Sequence, residues 1–115
     1  MTDKEMSIDE MIEVVAQQFI VRTEAADYLQ EHPMLYPYLV ESVGKIKSIF
    51  GTNVELELRL IKDPEIANYQ TLYCYVWLSM SVDEAMDKLD EFDDEYYLKL
   101  PNEIRDYLNY NVRSK

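Results

Sequence analysis

At 115 residues the chain is long enough to bury one hydrophobic core, and its 48% apolar and 30% charged residues are those of a folded domain rather than a disordered one. Its 23 acidic residues against 11 basic ones leave a net charge of −12, which argues against nucleic acid and anionic membrane surfaces, since both are bound through clustered Lys and Arg. One cysteine and two glycines exclude an intrachain disulfide, a thiolate metal cluster and a glycine-built phosphate cradle.

The N-terminus "MTDKEMSIDEM" is polar and acidic, unlike a signal peptide, and residues 1–6 read as a disordered tail. Ser7 and Glu10 have the spacing of a capping box, and Ile8, Met11, Ile12, Val15 and Phe19 follow at helical intervals. This pattern predicts a helix to about Arg22. Thr23 could cap a second segment through Leu29, or the helix could continue, until Pro33 forces His32 out of helical geometry. A further helix begins near Met34, tolerates Pro37 in its first turn and buries Leu35, Leu39, Val43, Ile46 and Phe50. Lys45 and Lys47 suit its C-terminal dipole, and Gly51 suits its end.

"NVELELRLI" changes the period to two, with Val54, Leu56, Leu58 and Leu60 on one side and Glu55, Glu57 and Arg59 on the other. After a turn at Pro64, the stretch "YQTLYCYVWLSM", residues 69–80, predicts a second strand. Its Leu72, Cys74, Val76 and Leu78 face one way, and Tyr73, Tyr75 and Trp77 the other. Ser81 and Glu84 make another capping box ahead of Val82, Ala85, Met86, Leu89 and Phe92, a helix that carries the acidic run Asp83–Glu95. Pro101 opens a single turn. Residues 107–112 then fit either a helix or a strand, and Tyr107, Tyr110 and Val112 favour the strand.

These elements predict one α+β domain of order α-α-β-β-α-β: two N-terminal helices and a three-stranded sheet, with the acidic helix crossing between the second and third strands. The simplest such sheet places the first strand between the other two. The wet side of residues 55–59 implies that one sheet face is only partly covered, with aromatic and charged residues sharing it. Pairing aliphatic with aliphatic residues puts Leu56 and Leu58 beside Cys74 and Val76, and leaves Arg59 to stack on a ring.

"FGTNVELELRLIKDPE" followed by "LSMSVDEAMDKLDEFDDEYYL" resembles a group of small bacterial proteins. The resemblance rests on Asp63, Pro64 and Glu65, and on Leu89, Phe92, Asp93, Asp94, Tyr96, Tyr97 and Leu98. Members of the group tend to have tryptophan where this chain has Tyr96 and Tyr97. The likeness spans roughly the last two-thirds of the chain. It implies a C-terminal strand and brings no function with it.

The acidic run lacks the glycine-bearing spacing of a calcium loop and reads first as a solvated helix face. Glu55 and Glu57, about 7 Å apart by the strand rise, could form an acid–base pair, although Arg59 would keep a carboxylate ionised. His32 has no second imidazole to work with and reads as a helix cap. Cys74 reads as a small buried hydrophobe.

Tyr73, Tyr75 and Trp77, grouped with Tyr96 and Tyr97, are residue types that dominate protein interfaces, and Asp90 and Asp94 would meet a basic partner. The function expected from sequence is therefore a non-catalytic, acidic protein–protein interaction module whose cellular role the sequence leaves open, an antitoxin- or immunity-like role being one that it could serve. It would be cytoplasmic, would need no cofactor or metal, and would bind another protein, a basic one included, or itself as a homodimer through Tyr73, Tyr75 and Trp77. Neither nucleic acid nor a membrane is expected as a partner. The alternative is a small-molecule or divalent-metal-dependent enzyme using the strand or helix carboxylates.

Overall fold

The computed structural model describes residues 6–66 and 69–115, so the tail expected at residues 1–6 lies, apart from Met6, outside the described residues. Helix α1 (Ile8–Gln18) starts where expected: Ser7 Oγ accepts from the Glu10 backbone N–H, and Glu10 Oε1 accepts from that of Ser7. It ends earlier than its apolar spacing predicts. Phe19 is already extended, and the β-branched pair Ile20–Val21 forms a short strand, β1, parallel to β2 (Glu55–Lys62). The Arg22 N–H then donates to the Leu58 carbonyl, which fixes the chain to the sheet edge before α2 (Thr23–Glu31) begins.

Thr23 is the first residue of α2 and does not cap it; Arg22 holds the cap position without a side-chain bond. A 3₁₀ turn at Pro33–Leu35 leads into α3 (Tyr36–Phe50), which buries Leu39, Ile46 and Phe50. Gly51 closes it with φ of 94°, a conformation that costs glycine least. After β2 come β3 (Gln70–Leu78), α4 (Val82–Glu95), a 3₁₀ turn at Tyr97–Lys99, the single-turn α5 (Asn102–Arg105) and β4 (Leu108–Ser114).

The α+β class is as read from the sequence, but the sheet has four strands and not three, in the order β1-β2-β3-β4. The expected central position of the first long strand is therefore wrong. β3 is flanked by antiparallel β2 and parallel β4, and the outer side of β2 is taken by β1. The crossover carries α4 onto β4, where Phe92 packs on Tyr110 at 4.9 Å. β4 lies directly beside β3 and parallel to it, with Cys74 opposite Tyr110 and Val76 opposite Val112, as a helix crossover between neighbouring parallel strands allows.

The β2–β3 register sets Leu56 against Val76, Leu58 against Cys74 and Leu60 against Leu72, the aliphatic pairing that the period-two pattern predicts. Those side chains, with Leu78, Leu108 and Tyr110, join Val15, Leu29, Leu39, Ile46, Phe50, Leu89 and Phe92 in one core. No odd-numbered residue of β2 or β3 belongs to it. The helices therefore cover one face of the sheet, and among the described residues the other face carries no helix.

The asparagines of β4 fit poorly with strand propensity, and the ladder explains them. Leu72 N–H donates to the Tyr107 carbonyl and Lys115 N–H to the Leu78 carbonyl, so by the alternation of a parallel ladder the N–H groups of Tyr110 and Val112 point away from β3. Asn109 Oδ1 takes the first of these at 2.9 Å and Asn111 Oδ1 takes the second at 2.8 Å. Two outward donors of an exposed edge strand are thus occupied by their own neighbours, which deprives another strand of a template.

Replacing both asparagines with valine frees these donors while raising strand propensity. The double variant should remain folded but gain mass with concentration in sedimentation or light scattering. A mass that stays equal to that of the wild type across the same concentrations would show that the asparagines do not protect the edge.

Candidate functional site

The helix-free face is built from the residues that alternate away from the core. Strand pairing sets Glu55 opposite Trp77, Glu57 opposite Tyr75 and Arg59 opposite Tyr73. Across β3, Tyr73 faces Asn109, Tyr75 faces Asn111 and Trp77 faces Arg113. Ile20 lies beside Glu57 at the β1 edge, and Arg22 follows it.

Glu57 is the centre of this face and is only 1% exposed. Its Oε2 accepts from Arg22 Nε at 2.6 Å and from Arg59 Nη2 at 2.7 Å, and its Oε1 accepts from Trp77 Nε1 at 3.0 Å. Burial by itself pushes the carboxyl pKa up. The three donors outweigh it and bring the value from the ordinary 4.5 down to about 2. The charge is thus fully paired, while the arginines that pair it keep 55% and 47% of their own side-chain surface in solvent.

Tyr75 is 5% exposed although it belongs to no part of the helical core. Its cover comes from the face itself. The Arg113 guanidinium lies 4.5 Å from the ring centroid and that of Arg59 6.0 Å, while Tyr73 stacks alongside at 5.6 Å and 23°. At one end Lys115 pairs with Glu55 at 3.7 Å. At the other, Ile61, Tyr69, Tyr73, Arg105, Asp106 and Asn109 border an open cleft of about 440 Å³.

Tyr73, Tyr75 and Trp77 therefore share one surface, as their alternation predicts. Tyr96 and Tyr97 do not join them and lie on the helical side. The Tyr96 hydroxyl donates to the Tyr38 carbonyl at 2.7 Å, the Tyr97 hydroxyl donates to that of Leu108 at 2.8 Å, and Phe92 and Tyr110 pack against them. Asp90 and Asp94 are exposed on α4, away from the open face. Between them Asp93 is partly buried, and that burial, followed by its two like-charged neighbours, raises its pKa. Lys88 ties α4 to α3 through the Ile49 carbonyl, and Lys45 reaches Glu95 at 3.3 Å.

Glu55 and Glu57 share a face but not an environment: one is exposed at the end of the sheet, the other buried and held ionised, so Glu57 has no proton to give near neutrality. His32 Nδ1 lies 2.9 Å from the Tyr28 carbonyl in the last turn of α2, and its ring stacks on Tyr28 and meets Tyr107 at a 40° tilt. Cys74 is fully buried, and burial drives its thiol pKa far upward. Among the described residues no group of three or more His, Cys, Asp or Glu is placed to hold a metal ion.

Sequence reasoning missed Arg22 and Arg113. Arg22 fell inside a predicted helix, and the two-residue strand that redirects it is too short to leave a periodic signal. Arg113 was within reach, because it shares parity with Asn109 and Asn111 on a strand whose partner was mistaken.

Replacing Glu57 with Gln leaves two guanidiniums without their anion and should cost about 2–3 kcal/mol in denaturant unfolding at neutral pH. Because the folded pKa of Glu57 lies below the unfolded one, its contribution is complete above about 4.5 and is lost as pH falls toward about 2. The stability gap between wild type and Glu57→Gln should therefore narrow across that window. A gap that is constant with pH would contradict the pairing.

No helix among the described residues is long and apolar enough to cross a membrane. No protein-family model matches the chain, and no curated protein or solved structure matches it.

Proposed function

We propose that this chain is a non-catalytic binding module that docks another protein on the helix-free face of its sheet. The observation that carries this reading is the state of Tyr75: an aromatic ring outside the core, already held between guanidiniums and a second ring before any partner arrives. Tyr, Trp and Arg are the residue types in which interface binding energy concentrates, and this face brings together Tyr73, Tyr75, Trp77, Arg22, Arg59 and Arg113. The Glu57 carboxylate holds Arg22, Arg59 and Trp77, and stacking on Tyr75 holds Arg113 and Tyr73, so less ordering entropy remains to be lost on binding.

A homodimer was the expected way to cover a bare apolar patch. The face instead presents Tyr75 already topped by guanidiniums, and its exposed rim mixes the apolar Ile20, Ile61 and Tyr69 with the charged Arg22, Arg59 and Arg113. Such a surface suits a partner that associates and leaves more than a permanent apolar dimer.

Selection of a displayed peptide library on the immobilised chain tests this reading. The recovered sequences should bind the wild type and lose binding to Tyr73→Ala and to Arg113→Ala, neither of which contacts the helical core. Sequences that bind all three proteins equally would place recognition elsewhere and overturn it. Sedimentation of the wild type over a wide concentration range covers the remaining case: a stable dimer broken by these same substitutions would make the partner a second copy of the chain.

A further inference from the structure

The chain as a whole is acidic, but its charges are sorted. The open face holds Arg22, Arg59, Arg113 and Lys115 against Glu55 and Glu57, with Arg105, Asp63 and Asp106 around the cleft at its end, whereas the whole chain has more than twice as many carboxylates as cations. Three of the four arginines lie on the face itself. The sorting is sharper at the surface: Glu57 is buried beneath its partners, so solvent meets the guanidiniums and not the carboxylate. Glu55 is engaged by Lys115 at the end of the sheet. Arg113 is exposed over Tyr75 and, among the described residues, makes no ion pair. The carboxylates of α1, α2 and α4 occupy the opposite layer.

From this arrangement we infer that the partner's docking segment is an acidic peptide, with carboxylates that meet Arg113 and the outer edges of Arg22 and Arg59, and apolar or aromatic side chains that rest on Tyr73 and Trp77. The inference rests on the binding-face reading and adds the chemistry of the occupant. Guanidiniums bind carboxylates bidentately, and an arginine already stacked on a ring has fewer rotamers to lose. Pairing with the Glu57 carboxylate from below leaves Arg22 and Arg59 with donors free, because each uses one nitrogen on it.

The net charge of −12 does not cancel this. The molecule is 25 Å across in its thinnest dimension, about three times the Debye length of roughly 8 Å at physiological salt, so the acidic layer is largely screened from the far face. It does weigh against nucleic acid, whose affinity requires many unpaired cations over an extended track, whereas of the three arginines over the strands only Arg113 makes no ion pair among the described residues.

A labelled peptide of alternating Glu and Tyr, the same peptide with Gln for Glu, and an oligothymidylate test the inference by fluorescence anisotropy. The Glu peptide should bind more tightly than the Gln peptide and weaken with added salt. Arg113→Gln should weaken it about tenfold, the loss of one charge-assisted contact. Asp90→Asn together with Asp94→Asn, on the opposite layer, should not weaken it. Equal or tighter binding of the Gln peptide, indifference to Arg113→Gln, preference for oligothymidylate, or no binding of any probe would each overturn the inference. The binding-face reading fails separately: library-selected neutral or basic sequences that still require Tyr73 and Arg113 would leave the face intact and refute only its acidic occupant.

Discussion

A carboxylate in the middle of a sheet is costly unless every lone pair it turns inward finds a donor, and the open face of this protein is arranged around meeting that demand at Glu57. Arg22 comes from the end of β1, Arg59 from the same strand two residues on, and Trp77 from the neighbouring strand. Each is thereby fixed in direction. The Trp77 indole is turned across the sheet toward the carboxylate, and Arg59 is drawn to where it can also reach over Tyr75. Remove the carboxylate and the two arginines repel one another, and Tyr75 loses part of its cover. The binding surface and the ion pair are therefore one structure.

The same demand explains why β1 exists. Two residues make a strand of little intrinsic stability, yet Ile20–Val21 leaves α1 and pairs along β2, which places Arg22 within reach of Glu57. A continuous helix through Arg22 would have carried that guanidinium away from the sheet. On the other side of the sheet the forces are simpler. Leu56, Leu58, Cys74 and Val76 present an aliphatic ladder, the helices bury it, and their acids face water. Packing the helices on one side exposes the other, and charge sorting follows from this asymmetry.

Much of this was legible in the sequence, because side-chain alternation is a strict consequence of strand geometry. The period-two pattern of residues 54–60 and 72–78 determined which residues share a face, the aliphatic register followed, and Ser7 and Ser81 cap helix starts where expected, although only Ser7 and Glu10 close a reciprocal box. What stayed hidden depended on contacts remote in sequence. The neighbour of β4 is set by a ladder with residues 72–78, and the termination of α1 by a pairing with residues 57 and 58. Glu57 illustrates the limit well. Alternation placed it on the wet side of its strand, yet it is among the most buried side chains in the molecule, because arginines and not helices cover it. The grouping of Tyr96 and Tyr97 with the strand aromatics failed for a related reason: composition records residue type, and only the fold assigns the side of the sheet.

Trp77 is the only tryptophan, so its indole Nε1–H gives a single proton resonance that reports on the centre of the face. Its chemical shift, followed by NMR as the folded protein is acidified, measures the ionisation of the carboxylate that accepts its bond. If Glu57 organises the face as described, the indole proton exchanges slowly with water, and its shift holds steady through the usual carboxylate range to move only near pH 2. An indole proton that exchanges freely, or a shift that turns near pH 4.5, would contradict the account by showing Glu57 to be an ordinary, solvated glutamate.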